Sequence, residues 1–186
     1  MEIYIRLAIL LALPSVCCDV TLVQSATLAR GDYPGLGNNQ IAADFNGDGK
    51  MDVAGFAENS IALMLGNGDG TLGPRAHYSV GGQLQDLAAG DFTSDGKLNL
   101  VITKADLRTT MSLLTANEDG TFNTPVDFPN ITGFDAPAGV ATDLNNDAWL
   151  DVVIAHQIAC FTGVSETLAV MLGNGMERFR RHALFK

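Results

Sequence analysis

Positive charge is scarce in this chain: Lys and Arg number 11 against 21 Asp and Glu, a formal net charge of -10. A polyanion meets no basic surface on such a protein, so nucleic acid is excluded as a partner. Cysteine is scarce too, with Cys17, Cys18 and Cys160 only. Cys17 and Cys18 stand at the end of a leader-like segment, so its removal leaves Cys160 alone, and a fold held by disulfides is excluded. Cys160 reads as a small buried hydrophobe. The N-terminal apolar run from Leu7 to Val16, broken by Pro14, falls short of the roughly twenty residues that span a bilayer. It suits the hydrophobic region of a secretory signal. Residues 1–18 are expected to be a signal peptide, and the mature chain to be secreted, periplasmic or at the cell surface, with no transmembrane span.

Catalytic signatures are missing as well. His77, His156 and His182 stand singly, with no zincin pair. Gly47-Asp48-Gly49-Lys50 lacks the spacing and the following Ser or Thr of a phosphate loop. Ser165, in Thr-Gly-Val-Ser-Glu-Thr, lacks the second Gly of a nucleophile elbow. No stretch is long and periodic enough for a stable helix. The expectation is a protein that is not an enzyme and has no catalytic residues.

What the chain does have is Asp44-Phe45-Asn46-Gly47-Asp48-Gly49-Lys50-Met51-Asp52. Oxygen-bearing side chains occupy its first, third, fifth and ninth positions, the spacing by which a short loop wraps a hard cation. Ca²⁺ takes six to eight oxygens at about 2.3–2.6 Å. Asp44, Asn46, Asp48 and Asp52 would supply side chains, and Lys50 its carbonyl. Gly49 permits the left-handed backbone of so tight a turn. The pattern recurs with Asp91, Thr93, Asp95, Lys97 and Asn99, and again with Asp143, Asn145, Asp147, Trp149 and Asp151. Eight of the 21 acids lie in these loops, so up to three Ca²⁺ would bring the charge from -10 to -4. An EF-hand is excluded, because its twelfth-position Glu is replaced by Gly55 or Ile154 and the flanks are β-like.

The loops start 47 and 52 residues apart, and each begins a unit of about four short apolar runs separated by Gly, Asn and Asp. Gly-Asn-Gly and Asp-Gly supply the positive backbone angles of hairpin turns. Four antiparallel strands per repeat of about fifty residues is the arithmetic of a β-propeller blade. The chain is therefore read as all-β, with three four-stranded antiparallel blades over about 40–85, 86–136 and 137–186, after a leading strand and linker at 19–39. The small-residue first strands, Ile41-Ala42-Ala43, Leu87-Ala88-Ala89 and Gly139-Val140-Ala141, suit the crowded positions nearest a propeller axis. Phe45, Phe92 and Leu144 repeat one apolar position and are expected to pin each loop to its own blade. Three blades leave open ends, which a larger product or self-association would bury.

At Asp-Phe-Asn-Gly-Asp-Gly-Lys-Met-Asp-Val and Leu-Gly-Asn-Gly-Asp-Gly-Thr-Leu the chain resembles the FG-GAP and VCBS repeat family of integrin-alpha-like propellers and exported bacterial proteins. The resemblance runs from about residue 40 onward. It implies loops that bind Ca²⁺ and faces that bind extracellular protein or carbohydrate in a binding or adhesion role. The competing reading is a fragment or accessory of a Ca²⁺-dependent propeller-fold polysaccharide lyase or hydrolase. Thr93 and Asn99 reduce the charge of the Asp91 loop, so its affinity should be weakest. In the third loop Ala148 replaces the Gly, at a cost of around 1 kcal/mol in a left-handed conformation. Arg178, Arg180, Arg181 and Lys186 are expected to guard an exposed edge. Asn130-Ile131-Thr132 is a glycosylation acceptor, and His156–Thr167, without counterpart in the other units, is expected to be a loop that carries specific recognition.

Overall fold

A computed structural model describes residues 5–7, 36, 39–105, 109–129, 135–160, 163–176 and 178–185. The cysteine pair, nearly all of the leading strand and linker expected at 19–39 and the glycosylation acceptor lie outside the described residues. So do the side chains of His156, Cys160, Arg181 and His182.

Every described element is a strand. The first blade is a meander of β2 (Gln40–Ala43), β3 (Asp52–Ala57), β4 (Ser60–Met64) and β5 (Ala76–Ser79). A three-residue strand, β1 (Ile5–Leu7), pairs parallel with β2, so a segment expected within the leader extends this sheet to five strands. The second blade contains β6 (Leu84–Gly90), β7 (Asn99–Lys104), β8 (Thr109–Leu114) and β9 (Val126–Pro129). The third contains β10 (Asp135–Thr142), β11 (Asp151–Cys160), β12 (Gly163–Gly173) and β13 (Phe179–Phe185). Each blade's four strands pair antiparallel in chain order, as the repeat arithmetic requires, and the three blades form an open array.

The small-residue strands lie against one another, β2 beside β6 and β6 beside β10. Small side chains let these backbones approach: a Cβ on Gly90 in β6 would meet Leu150 of the third blade at 2.5 Å. Between blades, the two-residue period of the strands sorts the core. In the middle blade Leu100, Ile102 and Leu114 pack toward the first blade, with Ile41, Ala54 and Leu63. Val101, Met111 and Leu113 pack toward the third, with Val152, Ile154 and Ala169. All six residues of β7 are buried, and its centre, Leu100-Val101-Ile102, is a continuous apolar run between two covered faces.

Aromatic side chains make a repeated joint between blades. Phe122 meets Phe45 at 5.7 Å and Tyr78 at 5.2 Å between ring centroids, both edge-on. Phe179 meets Phe92 at 5.7 Å and Phe128 at 5.2 Å in the same way. The second-position Phe of each loop thus grips the following blade rather than only its own, which revises the expectation for Phe45 and Phe92. Leu144, at the same position in the third blade, has no such partner among the described residues and is 46% exposed. Lys104, buried, adds a polar tie: its ammonium donates to the Val80 carbonyl of the preceding inter-blade connection and to Asp127 Oδ1 at 3.0 Å, while Ser112 Oγ also donates to Asp127.

The stretch at His156–Thr167 differs from expectation. It continues the β11–β12 ladder, with Gln157 opposite Glu166, Ile158 opposite Ser165 and Cys160 opposite Gly163. Ile158, Val164 and Thr167 are strand formers that let pairing outrun the blade, so most of this stretch is hairpin and not an irregular loop.

Candidate functional site

The three acidic loops join β2 to β3, β6 to β7 and β10 to β11, and they are built alike. The first-position carboxylate folds back on its own loop. Asp44 accepts from the main-chain N–H of Gly47 at 2.7 Å, Asp48 at 3.1 Å and Gly49 at 2.8 Å. Asp91 accepts from Asp95 at 3.2 Å and Gly96 at 2.8 Å, and Asp143 from Asp147 at 3.3 Å and Ala148 at 2.9 Å. The fifth-position acid accepts from the seventh residue's N–H in every loop, at 2.9, 3.1 and 3.0 Å for Asp48, Asp95 and Asp147. Asn46 and Asn145 each accept from the fifth residue's N–H at 3.1 Å, and the Thr93 hydroxyl donates to Asp95 at 2.9 Å.

Turning N–H groups inward requires left-handed backbone at two places. Gly49, Gly96 and Ala148 have φ of +80, +81 and +71°, and Gly47, Ser94 and Asn146 have φ of +72, +58 and +58°. The sixth position was legible from its Gly. The fourth was not, because Ser94 hides a requirement that Gly47 and Asn146 satisfy more cheaply.

The ninth-position residue has a separate task. Asp52 is fully buried; one oxygen accepts from Phe45 N at 2.8 Å and the other from Gly66 N at 2.8 Å. Asp151, also fully buried, repeats this with Leu144 N and Gly173 N, both at 2.9 Å. This carboxylate therefore bolts the loop to the chain leaving the third strand. In the second blade Asn99 Oδ1 accepts from Phe92 N at 3.0 Å and lies 3.2 Å from the Thr93 hydroxyl, whose one proton goes to Asp95, but its buried Nδ2 has no partner.

Electrostatics follow from these bonds. The Lys50 N–H bond holds the Asp48 carboxyl below its ordinary 3.8. For Asp95, partial burial pushes upward, but the Thr93 hydroxyl and the Lys97 N–H outweigh it and the net shift is downward. Burial raises Asp52 despite its two N–H bonds, and the charges of Asp44 and Asp48 raise it further. Among the described residues, no group of three or more His, Cys, Asp or Glu side chains converges as a metal site. The donor set is nevertheless of hard oxygens suited to Ca²⁺, and the first loop concentrates carboxylates that repel one another. Asp44, Asn46 and Asp48 would hold such an ion with the Lys50 carbonyl, and Asp143, Asn145 and Asp147 with that of Trp149. Asp52 and Asp151 would close each set. The ion would supply neutralisation of repelling charge.

Beside the third loop lies a groove of about 450 Å³. Its walls include Asn145, Asp147, Trp149, Asn174, Arg178 and Arg180. Trp149, the chain's single tryptophan, is 39% exposed. A Cβ on Gly175 would meet its indole Nε1 at 2.6 Å, so this Gly is required for the ring to lie where it does. Sequence reasoning took Trp149 only as a carbonyl donor and the arginines only as edge guards on β13. The missed signal was comparison of the repeats: Lys50 and Lys97 stand where the third blade has Trp149, and Thr71 and Thr121 where it has Arg178.

The fold and loops define a class: an open β-propeller-type array with acidic turn loops. Residues 44–102 match the FG-GAP-like repeat family. A lectin from Agrocybe aegerita, solved for its specific recognition of non-reducing terminal N-acetylglucosamine, is structurally similar, with a TM-score of 0.52 and 21% sequence identity. The match covers 75% of this chain and 36% of the lectin chain, so this chain spans about a third of that relative's length. No curated protein matches the chain. Among the described residues no helix is long and apolar enough to cross a membrane.

Proposed function

We propose that this chain is an exported Ca²⁺-binding propeller module that binds extracellular carbohydrate, in a recognition or adhesion role. The observation that carries the reading is the groove beside the third loop, where an exposed indole adjoins amide, carboxylate and guanidinium groups. Sugars need this combination: an aromatic face for their C–H surfaces and a few fixed polar groups for their hydroxyls. The FG-GAP-like loops and the likeness to a lectin support it. Ca²⁺ is structural in this reading, drawing the loop carboxylates together and locking each inner hairpin. The leader-like N-terminus supports export.

A binding role is favoured over catalysis by the use made of the raised carboxyl. Asp52 is the one described acid with a resolved upward shift, and both of its oxygens are committed to main-chain N–H groups away from the groove. A general acid needs such a group free beside its substrate. The third blade's outward face, where Leu144 and Leu168 are 46% and 45% exposed, suits self-association that buries the open end of the array. The mass of the protein in solution tests that part.

The test of function is binding to a panel of neutral and acidic glycans, with Ca²⁺ and with chelator, beside hydrolysis and elimination assays on the same sugars. Saturable binding without turnover is expected. Turnover would favour the lyase or hydrolase reading, and binding to matrix proteins but to no glycan would overturn the carbohydrate reading.

A further inference from the structure

Comparison of the three blades within the chain isolates the groove as a remodelled place. In the first two blades the seventh loop residue is a Lys that pairs with its own loop, Lys50 with Asp48 at 3.2 Å and Lys97 with Asp95 at 3.3 Å. The turn between third and fourth strands is closed by side chains: Asn67 donates to Thr71 and Asn117 to Thr121, both at 2.9 Å, and the Thr hydroxyls donate to Asp69 at 2.6 Å and Asp119 at 2.5 Å. Gly66 and Gly173, each bonded to its loop's ninth-position acid, fix the alignment. In the third blade Trp149 replaces the Lys, Met176 the Asp and Arg178 the Thr, so every one of these ties is lost around one hollow.

The charge of that hollow has also changed sign relative to the molecule. Among the described residues that line the groove, Arg178 and Arg180, both exposed, stand against one carboxylate, that of Asp147, in a chain of net charge -10. Among the described residues neither arginine forms an ion pair, whereas Lys50, Lys97 and Lys104 are each paired with an Asp. Asp147 is occupied by Asn145 Nδ2 at 2.8 Å and Trp149 N at 3.0 Å. Guanidinium groups match a planar carboxylate in shape and charge, and an indole matches the apolar face of a pyranose ring.

We infer that the groove beside Trp149 takes a saccharide bearing a carboxylate, a uronic acid unit, with Trp149 against the ring and Arg178 and Arg180 on the carboxylate. This rests on the carbohydrate-binding reading and narrows it to one sugar class and one place. The probe is trigalacturonate, with its methyl ester as the uncharged match, titrated against the fluorescence of Trp149 at fixed Ca²⁺. The acid is expected to change the emission saturably and to bind about tenfold tighter than the ester, the scale of two exposed charge-assisted contacts. In Arg178→Gln/Arg180→Gln the two forms should bind alike. Should that variant melt early, salt serves on the unaltered protein, weakening the acid and sparing the ester.

Equal binding of acid and ester overturns the inference and leaves the carbohydrate reading standing. So does a glycan found by the panel that leaves Trp149 emission unchanged. If no glycan binds by either method, both fall together.

Discussion

Asn99→Asp should stabilise the protein. In the outer blades the ninth-position acid offers an acceptor at each end, to Phe45 and Gly66 in one and to Leu144 and Gly173 in the other. Asn99 offers one acceptor, already used by Phe92 N. Its buried Nδ2 is a donor without a partner, at the end where the repeat places the N–H of Ala116. An unsatisfied buried polar group costs about 1–3 kcal/mol, and the carboxylate would remove that cost. Burial of the new charge opposes the gain, as it does at Asp52, where desolvation raises the carboxyl. The net expectation is about 1 kcal/mol, or about 2–4 °C in melting temperature for a domain of this size. Calorimetric or urea-induced unfolding measures it, with Asp52→Asn and Asp151→Asn as reciprocal variants that each recreate the second blade's defect and lose about 1–3 kcal/mol. The reasoning is refuted if Asn99→Asp lowers stability, or if the reciprocal changes cost nothing.

Three further outcomes follow from the same geometry. Ala148 has φ +71°, so Ala148→Gly should raise stability by about 1 kcal/mol in thermal unfolding; an unchanged or lower melting temperature would contradict the strain. Phe122→Ala removes the ring gripped by Phe45 and Tyr78 and should cost about 3–5 kcal/mol in denaturant, with a loss under 1 kcal/mol showing that the joint between first and second blades is not held there. Asp52 has a raised carboxyl, so its favourable contribution is fully present below 3.8 and is lost as pH rises through the higher folded value. The stability advantage of the parent chain over Asp52→Asn should therefore be larger near pH 4 than at pH 7, and the opposite trend across that range would reverse the assigned shift.

Much of the fold was legible because it is written three times. Alternating oxygen-bearing residues announced the loops, small residues the inner strands, and Gly-Asn-Gly the hairpin turns. Periodicity within one unit also predicted the strands, since Leu63 and Ile61 face one blade boundary while their neighbours face the other way. Contacts made across blades were less legible. Phe45 and Phe92 looked like local anchors because nothing in their own unit names Phe122 and Phe179 as partners. Nothing near Lys104 in the sequence marked it for burial, because its partners, Val80 and Asp127, lie 24 and 23 residues away. The ninth-position acids were read as metal ligands alone, although their burial makes them structural bolts as well. The groove went unread because Trp149 stands far in sequence from Met176 and Arg178, and all three are informative only against the residues they replace.

The central claim is that the regularly spaced oxygens of these loops form cation sites. Isothermal titration of Ca²⁺ into the chelator-treated, folded protein tests it most directly. The account predicts saturable uptake, with the Asp44 and Asp143 loops filling first and the Asp91 loop last. No uptake up to about millimolar Ca²⁺, the weak end for extracellular modules, would contradict it and leave the repeated acids as turns that cap their own backbone.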